Sequence, residues 1–276
     1  MPSPTEITTA QLMRRIGLAD SPLIVDVRTQ ADFAADPRVI PTSLRRDWND
    51  VRQWAADLPA GKVVVVCHRG LKLSQGVAAW LRHAGRDAIT LEGGHAAWVD
   101  DGGMLVGGVA GRVPPGAEAT VWVTRARPKI DRVACPWLIR RFIDRNAVFL
   151  FVEPGQVAAV AERFGAQPFD IEGAFWSHRA DGCSFDTMIG EFGLGSPALD
   201  RLALIVRAAD TARLDLAPQA AGLLAMSLGL SRIYRDDLAQ VDAAMSLYDA
   251  MYRWCRDAGD ETHDWPGTRM MTGTGA

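Results

Sequence analysis

Lys62-Val63-Val64-Val65-Val66-Cys67-His68-Arg69-Gly70-Leu71-Lys72-Leu73-Ser74 decides how this chain reads. Four consecutive valines mark a strand buried on both faces, as in a parallel sheet. Cys67 stands at the carboxyl end of that strand, the edge where open α/β sheets bind ligands. The loop from Cys67 to Lys72 holds one glycine and two bases, and Gln75–Arg82 then places Val77, Trp80 and Leu81 at helical spacing. A thiol in a loop entering a helix meets several backbone N–H groups and the positive end of the dipole. Arg69 and Lys72 add charge. These effects lower a thiol's pKa and make it a nucleophile, and the same cradle suits an anionic substrate. A structural cysteine behind a core strand is the competing reading. The glycine, the two bases and the strand–loop–helix context favour the reactive one.

Outward from this stretch, Thr8 or Thr9 caps a helix over Ala10–Ile16 that ends at Gly17. Pro22–Val27 is strand-like. Asp26 and Arg28 near its end are read first as an ion pair or cap, with Arg28 also a candidate for the anion site. Asp47–Leu58 reads as a helix with Val51, Trp54 and Leu58 in the core, and Ala88–Leu91 as the last strand. Strands alternating with short helices predict a parallel sheet covered on both faces. His95, three residues before Trp98, reads as a packing or surface histidine.

Several pieces of residues 5–110 resemble the rhodanese (sulfurtransferase) family in order. They are Ile24-Val25-Asp26-Val27-Arg28, Ile40-Pro41-Thr42-Ser43, the six-residue loop Cys67-His68-Arg69-Gly70-Leu71-Lys72, and Leu91-Glu92-Gly93-Gly94-His95-Ala96-Ala97-Trp98. The resemblance implies sulfur transfer of the thiosulfate sulfurtransferase type, through a persulfide on Cys67. His68, Arg69, Gly70, Leu71, Lys72 and Arg28 would form the substrate site. The family often ends this loop Arg-Ser, whereas this chain has Lys72-Leu73-Ser74; lysine keeps the charge but not the planar two-pronged donor. Related phosphatases use a longer loop, so phosphatase activity is disfavoured. No cofactor is needed for such a transfer. A small anionic sulfur donor and a thiol acceptor are the expected partners.

The chain has 276 residues, enough for two domains, and 48% of them are apolar. A formal net charge of −3 does not advertise nucleic-acid or membrane binding. No apolar run approaches membrane-spanning length, and the N-terminus lacks the features of a secretory signal. Four cysteines without a C-x-x-C pair suit a reducing cytoplasm, the expected location.

The Gly/Pro-rich stretch Asp101–Gly116 marks a boundary and predicts a flexible linker with independent halves. Beyond it Thr120–Thr124 alternates like a strand. A basic run follows (Arg125, Arg127, Lys129, Arg132), and Cys135–Asp144 reads as a helix with proline in its first turn. Val148–Val152 and Pro168–Ile171 are further strands. Ala198–Ala209, Ala217–Leu228 and Asp236–Ala258 are helical by periodicity. Residues 120–257 resemble the C-terminal domain of chromate-resistance proteins of the ChrB type. The most specific piece is Arg127-Pro128-Lys129-Ile130-Asp131-Arg132-Val133-Ala134-Cys135-Pro136-Trp137-Leu138-Ile139-Arg140-Arg141. In that family the domain follows a DNA-binding one. A rhodanese-like unit stands in its place here, so no direct nucleic-acid contact is expected.

His178, Cys183, Asp186, Glu191 and Asp210 are ligand-type residues and form a candidate site for a divalent metal or iron. A capping Asp186, a buried Cys183 and a solvent-facing His178 make the competing reading. Arg125, Arg127, Lys129 and Arg132 are candidates for an oxyanion such as chromate, or else a solvated face paired with Asp131. The expected architecture is α/β: a rhodanese-like parallel sheet with helices on both faces, plus a second, mainly α-helical α+β domain. The boundaries read 1–110, a linker at 111–119, a second domain at 120–265 and a flexible tail at 266–276. Functionally, two alternatives stand. One is a sulfurtransferase serving chromate or oxyanion stress. The other is a chromate- or metal-binding sensor whose rhodanese-like half is not catalytic.

Overall fold

The computed structural model describes residues 4–261, so the tail expected at 266–276 lies outside the described residues. The first half runs β1 (Glu6–Ile7), α1 (Thr9–Met13), β2 (Leu23–Asp26), α2 (Gln30–Ala35), β3 (Leu44–Arg45), α3 (Val51–Trp54), β4 (Lys62–Val66), α4 (Lys72–His83), β5 (Asp87–Leu91) and α5 (Gly94–Asp100). Its five strands lie in the order β1-β5-β4-β2-β3, every pair parallel. The valine strand β4 is central, with Val64 beside Ile24 on one side and Ile89 on the other.

Alternation along β4 divides its valines between two cores. Val63, Val65 and Cys67 join Trp54, Val77 and Leu81 on the α3–α4 face. Val64 and Val66 join Leu12, Ile16 and Trp98 on the other face, in a cluster that continues into the second half of the chain.

Two local readings change. The helix expected over Asp47–Leu58 is a 3₁₀ turn at Trp48–Asp50 followed by the single turn of α3. The cause is Asp47, whose carboxylate accepts the Asn49 amide at 2.9 Å while its carbonyl accepts Trp54 Nε1 at 2.8 Å. Thr8 caps α1 with a reciprocal bond from Gln11, but that helix ends at Met13 rather than Ile16.

The second half runs β6 (Val121–Arg125), α6 (Asp131–Leu138), β7 (Val148–Val152), α7 (Val157–Phe164), β8 (Gln167–Pro168), α8 (Ser184–Phe192), α9 (Pro197–Asp210), α10 (Ala220–Ile233) and α11 (Asp237–Asp257). Its three strands, in the order β7-β6-β8, are also all parallel. This half is therefore a small parallel sheet with a large helical layer. Because α6 starts at Asp131, Pro136 sits inside the helix rather than in its first turn. Proline supplies no amide to the ladder, and the helix widens into a π-turn over Ile139–Ile143 before it ends.

The stretch read as a flexible linker is packed. Val106 and Val113 are buried. Val39 and Val106 exchange both backbone hydrogen bonds, and the Gly107 amide donates to Phe192 O at 3.2 Å. Its glycines permit close approach: a Cβ on Gly103 would collide with the Trp98 ring. The halves meet directly as well. Gly17, at φ +75°, lies so close to Phe142 and Tyr252 that a Cβ there would stand 2.5 Å from Phe142. Thr42 donates its amide to Phe142 O at 3.0 Å, and Arg145 donates to Pro22 O at 2.8 Å. The expectation of independent halves gives way to a shared core.

Candidate functional site

The carboxyl edge of each parallel sheet carries a cluster of chemically capable side chains. In the first half, β4 delivers Cys67 to the edge and α4 begins five residues later. The intervening loop is stapled to the start of α5: His95 donates its amide to Cys67 O and Ala96 to His68 O, each at 2.9 Å. Two glycines allow this. A Cβ on Gly70 (φ +69°) would stand 2.5 Å from Leu91 O, and one on Gly94 (φ +63°) would collide with Cys67 O.

With its carbonyls so held, the loop leaves its donors free. Among the described residues, the amides of His68, Arg69, Gly70, Leu71 and Lys72 have no protein acceptor. Amides arrayed at a helix start form an anion cradle. The Cys67 thiol is buried and donates to Ser74 Oγ at 3.2 Å, and Ser74 in turn donates to Leu71 O at 3.1 Å. Arg69 and Lys72 are exposed and His68 is half-buried.

Arg28 does not reach this cradle. Its buried guanidinium pairs with the buried Asp26 at 2.6 Å and donates to Asp36 O and Arg38 O. It fastens the loop after β2 to the sheet edge. His95 is buried with Nε2 3.2 Å from Arg38 O, and burial, then the charge of Arg28, lowers its pKa.

In the second half, β6 ends at Arg125 and leads through a loop to Asp131, the first residue of α6. That loop is strained, with positive φ at Arg127 and Ile130, and so is Asp170 just past β8. Asp131 is fully buried. Its carboxylate accepts the amides of Ser184 (2.6 Å) and Phe185 (3.1 Å) at the amino end of α8. Ser184 Oγ donates to Asp170 Oδ1 at 2.9 Å.

His178 Nε2 then stands 3.2 Å from Asp170, 3.2 Å from Asp210 and 3.5 Å from Asp131. One ring nitrogen thus faces three carboxylates, though it can donate to only one of them well. The Asp131 carboxylate foremost, then Asp170 and Asp210, raises the imidazole pKa to about 9. Burial, then the charges of Asp131 and Asp170, pushes Asp210 up to about 6, and burial also raises Asp170.

One ligand atom each from Asp131, Asp170 and His178 lies within 4.8 Å of the others, a group that can hold a metal ion. Cis ligands at bonds of about 2.1 Å stand roughly 3.0–3.4 Å apart; the 3.2 Å from His178 Nε2 to Asp170 falls in that range and the 3.5 Å to Asp131 lies just beyond it. Carboxylates with one imidazole are a donor set for Mn²⁺, Fe²⁺ or Zn²⁺ rather than a thiophilic ion.

Of the residues predicted as ligands, the structure brings only His178 and Asp210 to this point. Cys183 is fully buried with its thiol pushed up by burial, and it caps α8. Asp186 accepts the Cys183 amide at 2.9 Å, and Glu191 pairs with Arg179. Asp131 and Asp170 were missed. Their signal was positional, since each follows directly on a strand of the parallel sheet or the loop leaving it.

The four bases expected to hold an oxyanion do not converge on one point but divide into two pairs. Arg132 Nε and Arg125 Nη2 pair with Asp170 at 3.2 and 3.6 Å. Arg127 is held by Asp237 and by the carbonyls of Ser231, Tyr234 and Arg235. Arg127 also lines a cavity with Lys129 and Arg232, away from the pair at Asp170.

Comparison with known proteins places both halves. Residues 8–101 match the family described as rhodanese-like domain, and residues 122–255 match the family described as ChrB, C-terminal domain. Over 149 residues the chain is 34% identical to Protein ChrB of Cupriavidus metallidurans, covering 54% of this chain and 44% of that protein. The chain thus spans less than half the length of that curated relative. Among solved structures, it is similar to a rhodanese-related protein from Thermoplasma volcanium (22% identity, TM-score 0.33, covering 37% of this chain and 96% of that one). A rhodanese-like domain protein from Staphylococcus aureus is similar too (29% identity, TM-score 0.32, covering 36% of this chain and 94% of that one).

Proposed function

Since the chain is a rhodanese-like domain followed by a ChrB C-terminal domain, we propose that its first half is a thiosulfate-type sulfurtransferase working through Cys67. The thiolate attacks the outer sulfur of the donor. A new S–S bond forms at Sγ, and sulfite leaves with the electron pair of the broken bond. An acceptor thiolate then takes the outer sulfur and Cys67 departs as a thiolate. The observation that carries this reading is the row of five loop amides without protein acceptors, next to a cysteine at the end of a central strand. They would donate to the donor's oxygens and to the anionic sulfur, with Arg69 and Lys72 adding charge. Ser74 positions the thiol. Incubation with thiosulfate followed by intact mass measurement tests it. A gain of one sulfur atom in the wild type, absent in Cys67→Ala, is expected; an unmodified wild type refutes it.

For the second half we propose a divalent cation, iron included, held by Asp131, Asp170 and His178 with Asp210 beside it. The likeness to Protein ChrB supports a role for the whole chain in chromate or oxyanion stress. Metal analysis of freshly purified protein, compared with His178→Gln, tests the cation. A metal-loaded protein that never forms the persulfide would favour the alternative, a metal- or chromate-responsive sensor with a non-catalytic first half. Among the described residues no helix is long and apolar enough to cross a membrane; a reducing cytoplasm would keep the four thiols free, as they stand here.

A further inference from the structure

The helix α10 is amphipathic in reverse. Between Ala220 and Ile233 its one ionised residue is Arg232, so it is apolar nearly all round, the pattern of a helix covered on every side. Yet the side it buries is Ala220, Leu223, Ser227 and Ser231. The strained loop before α6 explains this. Ser227 Oγ accepts the Ile130 amide at 3.0 Å, and Ser231 Oγ accepts Arg127 Nη2 at 3.2 Å. Holding that loop turns the two hydroxyls inward and sends larger side chains out: Met226, Leu228 and Ile233 are 49%, 44% and 71% exposed.

The exposed side has relief. Gly222, Met226, Gly229 and Ile233 follow one another at intervals of four, three and four residues and so form one stripe. A Cβ on Gly229 would meet no atom within 4 Å, and one on Gly222 only Met226 Cε at 4.0 Å. The chain's own packing therefore requires neither glycine, although glycine weakens a helix relative to alanine. The stripe reads hole, knob, hole, knob, and it is its own complement when reversed. With Met226 of one copy opposite Gly229 of another, Ile233 falls opposite Gly222, and every knob meets a hole.

Charge at the two ends sets the direction. At the C-terminal end a cavity of about 500 Å³ lies beside Leu228 and Gly229, with Lys129 and Arg232 in its lining and no carboxylate. Lys129, Arg232 and the neighbouring Arg235 are exposed and, among the described residues, in no ion pair. Before the N-terminal end, Asp215 is exposed and equally unpaired, with Arg213 beside it. Antiparallel pairing brings Asp215 of one copy to the basic end of the other, and Arg213 to Asp236. It also opposes the two helix dipoles. A parallel pair would set the three bases against their own copies.

We propose that α10 is the interface of a homodimer. A second copy of this chain covers it, antiparallel about a twofold axis level with Ser227 and Leu228. With 14 residues α10 is about 21 Å long. One helix face of that length is smaller than the roughly 800 Å² per partner of a standard stable interface, so the dimer should dissociate in the micromolar range.

Sedimentation velocity of the full chain at about 1 and 100 µM tests this. The wild type should pass from monomer to dimer across that range. Gly229→Gln places a good helix former where the chain itself has room, so it should keep or raise Tm while weakening the dimer by about tenfold or more. Ile233→Glu should weaken it as well, by burying a charge in the contact. Asp215→Lys should weaken the dimer, and adding Arg235→Glu to it should restore association. A wild type that stays monomeric at the higher concentration overturns the proposal, whether or not the face binds anionic vesicles or another protein. So does a dimer that both Gly229→Gln and Ile233→Glu leave intact, because its contact then lies elsewhere. A dimer lost in those two variants but indifferent to the charge changes overturns the antiparallel arrangement.

Discussion

Asp131 and Ser184 are joined across 53 residues of chain: the Ser184 amide donates to the buried Asp131 carboxylate at 2.6 Å. Phe185 adds a second amide at 3.1 Å. One side chain thus caps α8 from another helix while facing the His178 ring. Removing it leaves two amides and a helix dipole unanswered. Asp131→Ala should cost about 2–4 kcal/mol, read from urea unfolding. Asp131→Asn keeps an acceptor and should cost less, yet both variants should lose the bound metal. Wild-type metal content in Asp131→Asn would remove this residue from the ligand set.

The raised His178 pKa makes the metal-free protein pH-dependent. The ring titrates near 6.5 unfolded and about 9 folded, so the folded state holds its proton more tightly. Its contribution is complete below pH 6.5 and is lost as pH rises to 9. Asp210, raised from 3.8 to about 6, acts in the same direction at lower pH, because the folded state again binds more protons across that window. Chelator-treated wild type should therefore lose stability relative to His178→Gln between pH 6.5 and 9. A cation must displace the same proton, so metal affinity should rise over that window. Parallel unfolding curves for the two proteins would contradict the assignment.

In the proposed sulfur transfer Ser74 has a narrower role than Cys67. Its hydroxyl fixes the thiol from the first turn of α4. Ser74→Ala should slow sulfite release from thiosulfate by about tenfold, the worth of one hydrogen bond of roughly 1–1.5 kcal/mol. The final persulfide yield should stay intact. Loss of the yield itself would make Ser74 essential rather than positioning.

Gly17 reports on the union of the halves. Its positive φ and its contact with Phe142 leave no room for a side chain. Gly17→Ala should destabilise the protein by about 1–3 kcal/mol. Since the two halves share one core, the signal should be one cooperative transition seen alike by Trp fluorescence and circular dichroism. Two separated transitions, only one of them shifted, would show that the halves unfold independently.

The strand–loop–helix arrangement around Cys67 was legible in the sequence because it is local. A valine run, a cysteine, a glycine-bearing loop and a helix follow one another, and that order alone sets the geometry. The second site is assembled from three separate segments, at Asp131, at Asp170 and His178, and at Asp210, which no spacing motif connects. Nearness in sequence misled there. Cys183, Asp186 and Glu191 are close to His178 along the chain, but the start of α8 claims two of them as caps and Arg179 takes the third. The basic run was scattered by the strained turn at Arg127 and Ile130, which sends Arg127 toward α11 and leaves Arg132 at Asp170. Composition also cannot tell a loose tether from an irregular segment whose glycines allow close contact, as Gly103 and Gly108 do.

The alternation along β4 has a consequence for how such a protein can be rebuilt. One parity of the strand presents the sulfur, and the other parity belongs to the apolar mass common to both halves. The two halves are consequently not interchangeable cassettes. Grafting the first half onto another scaffold would bare a greasy flank of its central sheet, and any transplant would have to repaint that flank before that half could be handled on its own.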